Sequence, residues 1–149
     1  GIIYSLLFVF AIYQTLPTSM ASTRNNDFIY NEIGWLWSIN MVLNGCWLPI
    51  FQMNSTAGFI CANVIILVML ATALLMAKYA VNAKLNWPEW IGFRLGMSIY
   101  AGWLSAATIL NFSISLKVSG AADGWNEAGW SVAILWVAVV IYCGNALIH

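Results

Sequence analysis

The chain carries five apolar stretches, each long or nearly long enough to cross a bilayer, and none holds a carboxylate away from its ends. A spanning helix needs about 20 such residues. The stretches read as helices over about 1–16, 31–52, 57–79, 90–116 and 127–148. Pro17 and a polar loop stop the first, the turn MNST separates the second from the third, and VNAKLNWPE links the third to the fourth. Pro88 suits the first turn of the fourth helix. None of the stretches shows the polar–apolar alternation of a barrel strand. Only 7% of the residues are charged, against about a quarter in a soluble domain. The expectation is an all-α, polytopic membrane bundle of five transmembrane helices, forming one domain over 1–149.

Charge placement sets a topology. Arg24, Lys78 and Lys84 share one side with Arg94 near it, and Lys117 lies at the other. The positive-inside rule then puts the first and third loops and the C-terminus on the cytoplasmic or matrix side. Asn54-Ser55-Thr56 matches a glycosylation sequon on the outer side, close enough to the membrane to be expected unmodified. Trp35, Trp37, Trp87, Trp90, Trp125 and Trp130 fall near helix ends, where indoles form interfacial belts. The zero net charge and the lack of a basic run argue against nucleic acid. Cys46, Cys61 and Cys143 are odd in number and lie in apolar segments, so they read as buried core thiols rather than a disulfide or metal framework.

The first segment is already apolar at Gly1 and lacks the positive region and cleavage site of a signal peptide. It reads as beginning partway into a helix.

Two helices carry a patterned face. Asn40, Asn44, Trp47 and Phe51 fall in a stripe about 60° wide on the second helix, and Pro49 frees a carbonyl near its end. On the fourth, Gly92, Gly96, Tyr100, Trp103, Ala107 and Asn111 share a stripe about 100° wide. Gly92 and Gly96 make a GxxxG step that lets a neighbour approach. Polar groups at such depth either hydrogen-bond between helices or line a site. Two matched stripes suggest bulky aromatics facing each other, a wall suited to a flat, largely apolar ligand.

Catalytic constellations are missing. The single histidine is the terminal His149, and Glu32, Glu89, Asp123 and Glu127 sit at membrane edges. Proton relays and paired acid–base chemistry need carboxylates in the spans. Lys78, Lys84 and Arg94 could hold a phosphate or propionate, but topology accounts for them. An enzyme is not expected, and no cofactor is required.

The two stripes resemble the TspO/MBR family, the tryptophan-rich sensory proteins that include the mitochondrial translocator protein. Asn44, Trp47, Pro49 and Phe51 match its N-x-x-W-x-P-x-F pattern. Tyr100, followed by Trp103, Ala107, Thr108, Leu110 and Asn111, matches its Tyr and W-x-x-x-A-T-x-L-N pattern. Tyr4 is similar to the tyrosine that closes the family's W-x-x-L-Y motif, whose tryptophan would precede Gly1. Ser98 and Ile99 stand where the family has a proline before its tyrosine. The resemblance covers about 1–117 and places the family's first helix and capping loop upstream of Gly1. The last segment resembles the C-terminal extension of a divergent branch, in which Y-x-G-W precedes the A-T and Asn.

The resemblance implies a bundle that binds a tetrapyrrole, sterol or lipid in an intramembrane pocket, with a sensory, regulatory or transport role. It implies Tyr4, Asn44, Trp47, Phe51, Tyr100, Trp103, Ala107, Thr108 and Asn111 as ligand-binding residues. Trp47, Phe51, Tyr100 and Trp103 would form the aromatic wall, while Asn44, Thr108 and Asn111 would make polar contacts or lock helices. Expected partners are membrane lipid, the hydrophobic ligand, and a second copy or larger complex, in a mitochondrial or plasma membrane. The competing expectation is an accessory subunit of a large membrane assembly, which uses the same fold as a scaffold. A channel or ion-coupled transporter fits less well, because the spans lack ionisable residues.

Overall fold

The computed structural model describes residues 1–17 and 25–120, with the isolated positions Gly129, Ala133 and Trp136. Arg24, Asp123, Trp125, Glu127, Trp130, Cys143, His149 and the expected helix over 127–148 lie outside the described residues, those three positions apart.

Four helices follow the expected order. Helix α1 spans Ile2–Thr15 and stops at Leu16, whose extended backbone leads into Pro17. A short π-helical turn, Phe28–Glu32, precedes α2, Gly34–Phe51. Helix α3 spans Thr56–Asn82, and α4 spans Trp87–Val118. Pro49 lies inside α2, which continues through it to Phe51. The turn into α3 is tight: Asn54 takes a left-handed φ of 49°, and the Ser55 hydroxyl caps the helix by accepting from the Gly58 amide. A Cβ on Gly58 would stand 3.0 Å from the Ile50 carbonyl oxygen, so the α2–α3 corner is tight enough that a side chain there would push its neighbours apart. The sequon is built into this corner.

Helix α4 begins at Trp87, earlier than hydropathy placed it, because Asn86 and Glu89 form a reciprocal capping box around Pro88. It then passes through a π-helical stretch, Trp90–Leu95, before regular α-helix resumes at Gly96. Helices α3 and α4 are long and apolar enough to cross a membrane; α1 is a shorter apolar helix.

Helix α1 packs on α4, α4 on α3, and α3 on α2. Helices α1 and α2, at the ends of this series, meet through side chains rather than by close backbone approach. The GxxxG step acts as its spacing predicts. A Cβ on Gly92 would stand 3.2 Å from Phe10 Cβ, and one on Gly96 3.2 Å from Leu7 Cδ2, so the glycines admit α1 against α4. Phe93, wholly buried, gathers Phe10, Phe28 and Trp37 at centroid distances of 4.8, 5.3 and 5.7 Å. That cluster ties α1, the π-turn, α2 and α4 at one end of the bundle.

Two expectations are corrected by this packing. The α2 and α4 stripes face each other through their polar members, Asn40 and Asn44 meeting Tyr100, but their aromatics do not form the expected shared wall, because α3 packs against both helices and keeps their backbones apart. Cys46 and Cys61 are free thiols on exposed positions rather than core residues. A thiol is apolar enough to face lipid, so an apolar segment does not imply a buried one.

Candidate ligand groove and polar cluster

The polar residues of the spans converge on Tyr100. Its side chain is fully buried, and a buried hydroxyl without a partner would cost about 1–3 kcal/mol. The hydroxyl donates to Asn40 Oδ1 at 2.9 Å and accepts from Asn44 Nδ2 at 2.8 Å. Asn40 in turn donates to the Met69 carbonyl at 2.8 Å and to Thr72 Oγ1 at 2.7 Å. Asn44 also reaches the Tyr4 hydroxyl at 3.5 Å, the outer limit of a hydrogen bond. One network thus touches all four described helices. Asn40 and Asn44 are one turn apart on α2, so both carboxamides face the same way.

Tyr4 is where this network opens outward; it is 52% exposed. With Ser5, Leu7, Phe8 and Ala11 of α1, and Trp37 and Met41 of α2, it lines a groove of about 520 Å³. The groove exists because α1 and α2 stay apart. Its α1 wall recurs at three- and four-residue steps, and its α2 wall continues the stripe of Asn40 and Asn44 by one turn.

Trp103 apart, the residues singled out in the sequence divide into three groups. Tyr4, Asn44 and Tyr100 are brought together at the groove. Trp47 and Phe51 stack on each other at 5.5 Å, and Phe51 meets Phe59 of α3 edge-on at 5.4 Å, so both belong to the α2–α3 contact. The Trp47 indole N–H is buried and has no hydrogen-bond partner among the described residues. Ala107, Thr108 and Asn111 lie on the buried face of α4. Thr108 donates back to the Leu104 carbonyl at 2.7 Å, and Asn111 donates to Asn63 Oδ1 of α3 at 2.6 Å. Asn63 passes the chain to Ser115 at 2.8 Å.

Trp103 corrects the expected aromatic wall. Its side chain is 53% exposed, and it makes no ring contact with Trp47 or Phe51 among the described residues. The buried face of α4 runs through Tyr100, Leu104, Ala107 and Asn111, which leaves Trp103 on the flank.

Sequence reasoning missed Phe8, Ala11, Trp37 and Met41. Trp37 was expected at the interface, yet it packs on Phe10 at 5.6 Å and lines the groove. The periodicity of Tyr4, Phe8 and Ala11 on α1 was the available signal. Thr72, a hydroxyl in an otherwise apolar span, was a second. Glu89 was missed as well. It is 0% exposed, and its carboxylate accepts from the Asn25 amide at 2.7 Å and the Asn86 amide at 3.0 Å.

A family model described as TSPO-like protein matches residues 1–148. The chain belongs to the TSPO-like protein family. No curated protein and no solved structure matches it. TSPO-like membership makes the bundle a membrane bundle and the chain a member of a family of typically non-enzymatic binding and transport proteins. The match also extends the resemblance, which the motifs carried only to about 117, through the last apolar segment.

Proposed function

We propose that this TSPO-like protein holds a hydrophobic ligand of the tetrapyrrole, sterol or lipid class in the α1–α2 groove, in a sensory, regulatory or transport role. The observation that carries the reading is the groove itself: about 520 Å³ between apolar walls, with Tyr4 joined through Asn44 to the buried Tyr100. Ligand pockets commonly span about 300–1,000 Å³ and present a few fixed polar groups on apolar walls. The 3.5 Å contact between Asn44 and Tyr4 is weak enough for a ligand hydroxyl or carbonyl to replace it. Asn44 stays oriented throughout by its 2.8 Å bond to Tyr100. The basic residues at the α3–α4 end support an orientation with that end on the cytoplasmic or matrix side.

The test is saturable quenching of tryptophan fluorescence by protoporphyrin, and by a fluorescent sterol, with the protein in lipid nanodiscs. Trp37→Phe should reduce the amplitude, since Trp37 lines the groove. Ala11→Phe should weaken binding about tenfold by filling it. Unchanged affinity in Ala11→Phe would remove the groove from the account.

A second reading rests on Trp103. This motif-matching indole projects outward from α4, which suits an accessory subunit that docks in a larger membrane assembly. Under that reading the protein co-purifies with partners in mild detergent, and Trp103→Ala releases them.

A further inference from the structure

A second groove, of about 330 Å³, opens at the start of α4, where the apolar span begins. Leu85, Asn86, Trp87 and Trp90 line it. Side chains of a helix lean toward its N-terminus, so the two indoles, three residues apart, overhang the extended backbone of Asn86. Their planes lie within 3° of parallel and their centroids 6.4 Å apart. Direct contact between ring atoms needs about 3.5–4.0 Å, so each ring leaves most of its face uncovered by the other. Both indoles are exposed. We propose that this groove binds the phosphocholine headgroup of a membrane lipid, with the trimethylammonium on the indole faces and the phosphate toward Lys84.

The chemistry of the groove selects this ligand. Asn86, its most polar wall residue, is committed to the helix cap. Its Oδ1 accepts from the Glu89 amide at 3.0 Å, its Nδ2 donates to the Tyr13 hydroxyl at 2.8 Å, and its carbonyl accepts from the Trp90 amide at 2.8 Å. A group recognised through hydrogen bonds therefore gains little there. A trimethylammonium makes none, and the negative face of an aromatic ring attracts it. The positive end of the helix would by itself oppose a cation, but the Glu89 carboxylate, buried in the same turn, offsets it. Lys84, exposed two residues before Asn86, supplies the charge that a phosphate next to the ammonium needs.

An interfacial belt does not require this arrangement. Trp35, at the start of α2, stands at the same end of the bundle, since Trp37 and Phe93 meet there. It is exposed and makes no ring contact among the described residues, as a belt indole does. Trp87 and Trp90 instead share one turn that the Asn86–Glu89 capping box locks, which makes them a preorganised platform. The site shares no lining residue with the α1–α2 groove and does not rest on the ligand reading.

The test is nuclear magnetic resonance of the full chain, carrying isotope-labelled tryptophan, in phosphatidylethanolamine nanodiscs. Phosphatidylcholine labelled in its trimethylammonium methyls is titrated in, and the indole signals are assigned with Trp35→Leu, Trp87→Leu and Trp90→Leu. The two lipids share a phosphate and a net charge, so any difference isolates the methylated ammonium. Overhauser contacts from the choline methyls to Trp87 and Trp90 should saturate at a low phosphatidylcholine fraction, with a preference of about tenfold. Trp35 should respond in simple proportion to that fraction. Trp87→Leu should abolish the preference at Trp90; if that variant does not fold, the titration of the unaltered chain carries the test. Proportional responses at all three indoles would reduce the pair to belt residues. Displacement by an equal fraction of phosphatidylglycerol would assign the site to anionic lipid through Lys84 alone. Displacement by an equal amount of soluble phosphocholine would move the ligand from the membrane to solution. Any of these three results overturns the proposal.

Discussion

Asn44 of α2 donates to the Tyr100 hydroxyl of α4 at 2.8 Å, joining two helices whose backbones do not pack on each other. The bond succeeds because α3, packed against both, sets their separation to one tyrosine length. Tyr100 is thus the cross-piece of the bundle, and the groove between α1 and α2 lies on the α1 side of it.

Removing that cross-piece should be costly. Tyr100→Phe leaves Asn40 Oδ1 and Asn44 Nδ2 without their shared partner. A loss of about 1–2 kcal/mol is expected, toward the upper end of polar contacts between membrane helices. Thermal unfolding in detergent measures it. Tyr4→Phe, whose bond is long and exposed, should change the midpoint little.

The two glycines of α4 should not be equivalent. A side chain at Gly92 meets Phe10 close to its backbone, whereas one at Gly96 meets the flexible ends of Leu7 and the Leu6 Cβ at 3.4 Å. Gly92→Val should therefore destabilise by about 1–3 kcal/mol through overpacking, and Gly96→Val by less. The comparison is made by thermal unfolding of both variants in one detergent; the reverse order would contradict the packing.

Glu89 is predicted to hold the loop before α2 against the start of α4. Glu89→Gln replaces a carboxylate that accepts two amide hydrogen bonds with a group that has one acceptor oxygen. The expected cost is about 1–3 kcal/mol, with faster hydrogen exchange at the Asn25 and Asn86 amides. Exchange at Asn63, on the far side of the bundle, should stay unchanged.

Much of this fold was legible in the residues. Pro17, the MNST turn and Pro88 bounded the helices to within a few positions, and the Gly92–Gly96 step pointed to a close neighbour. Asn111 could be read as a helix lock because a carboxamide in a span needs a partner. Pairing was not legible. Periodicity gives a face to one helix but does not say how its members divide among neighbours, so Asn40 and Asn44 meet Tyr100 as matched, while Trp47 and Phe51 turn toward α3. The direction of Trp103 was lost in the same way, since a stripe about 100° wide includes its own flank. Glu89 was hidden because hydropathy treats a charged residue near a helix end as exposed, whereas two backbone amides make its burial affordable. The groove itself depends on where α1 stops short of α2, and no local pattern encodes that distance.

The central claim, that the α1–α2 groove holds a hydrophobic ligand, is tested most directly by photolabelling in nanodiscs with a diazirine-bearing sterol, followed by peptide mapping. The account predicts saturable adducts on Tyr4, Phe8, Trp37 or Met41, displaced by excess unlabelled sterol or protoporphyrin. Adducts confined to the outward face of α4 around Trp103, or adducts that no competitor displaces, would contradict it.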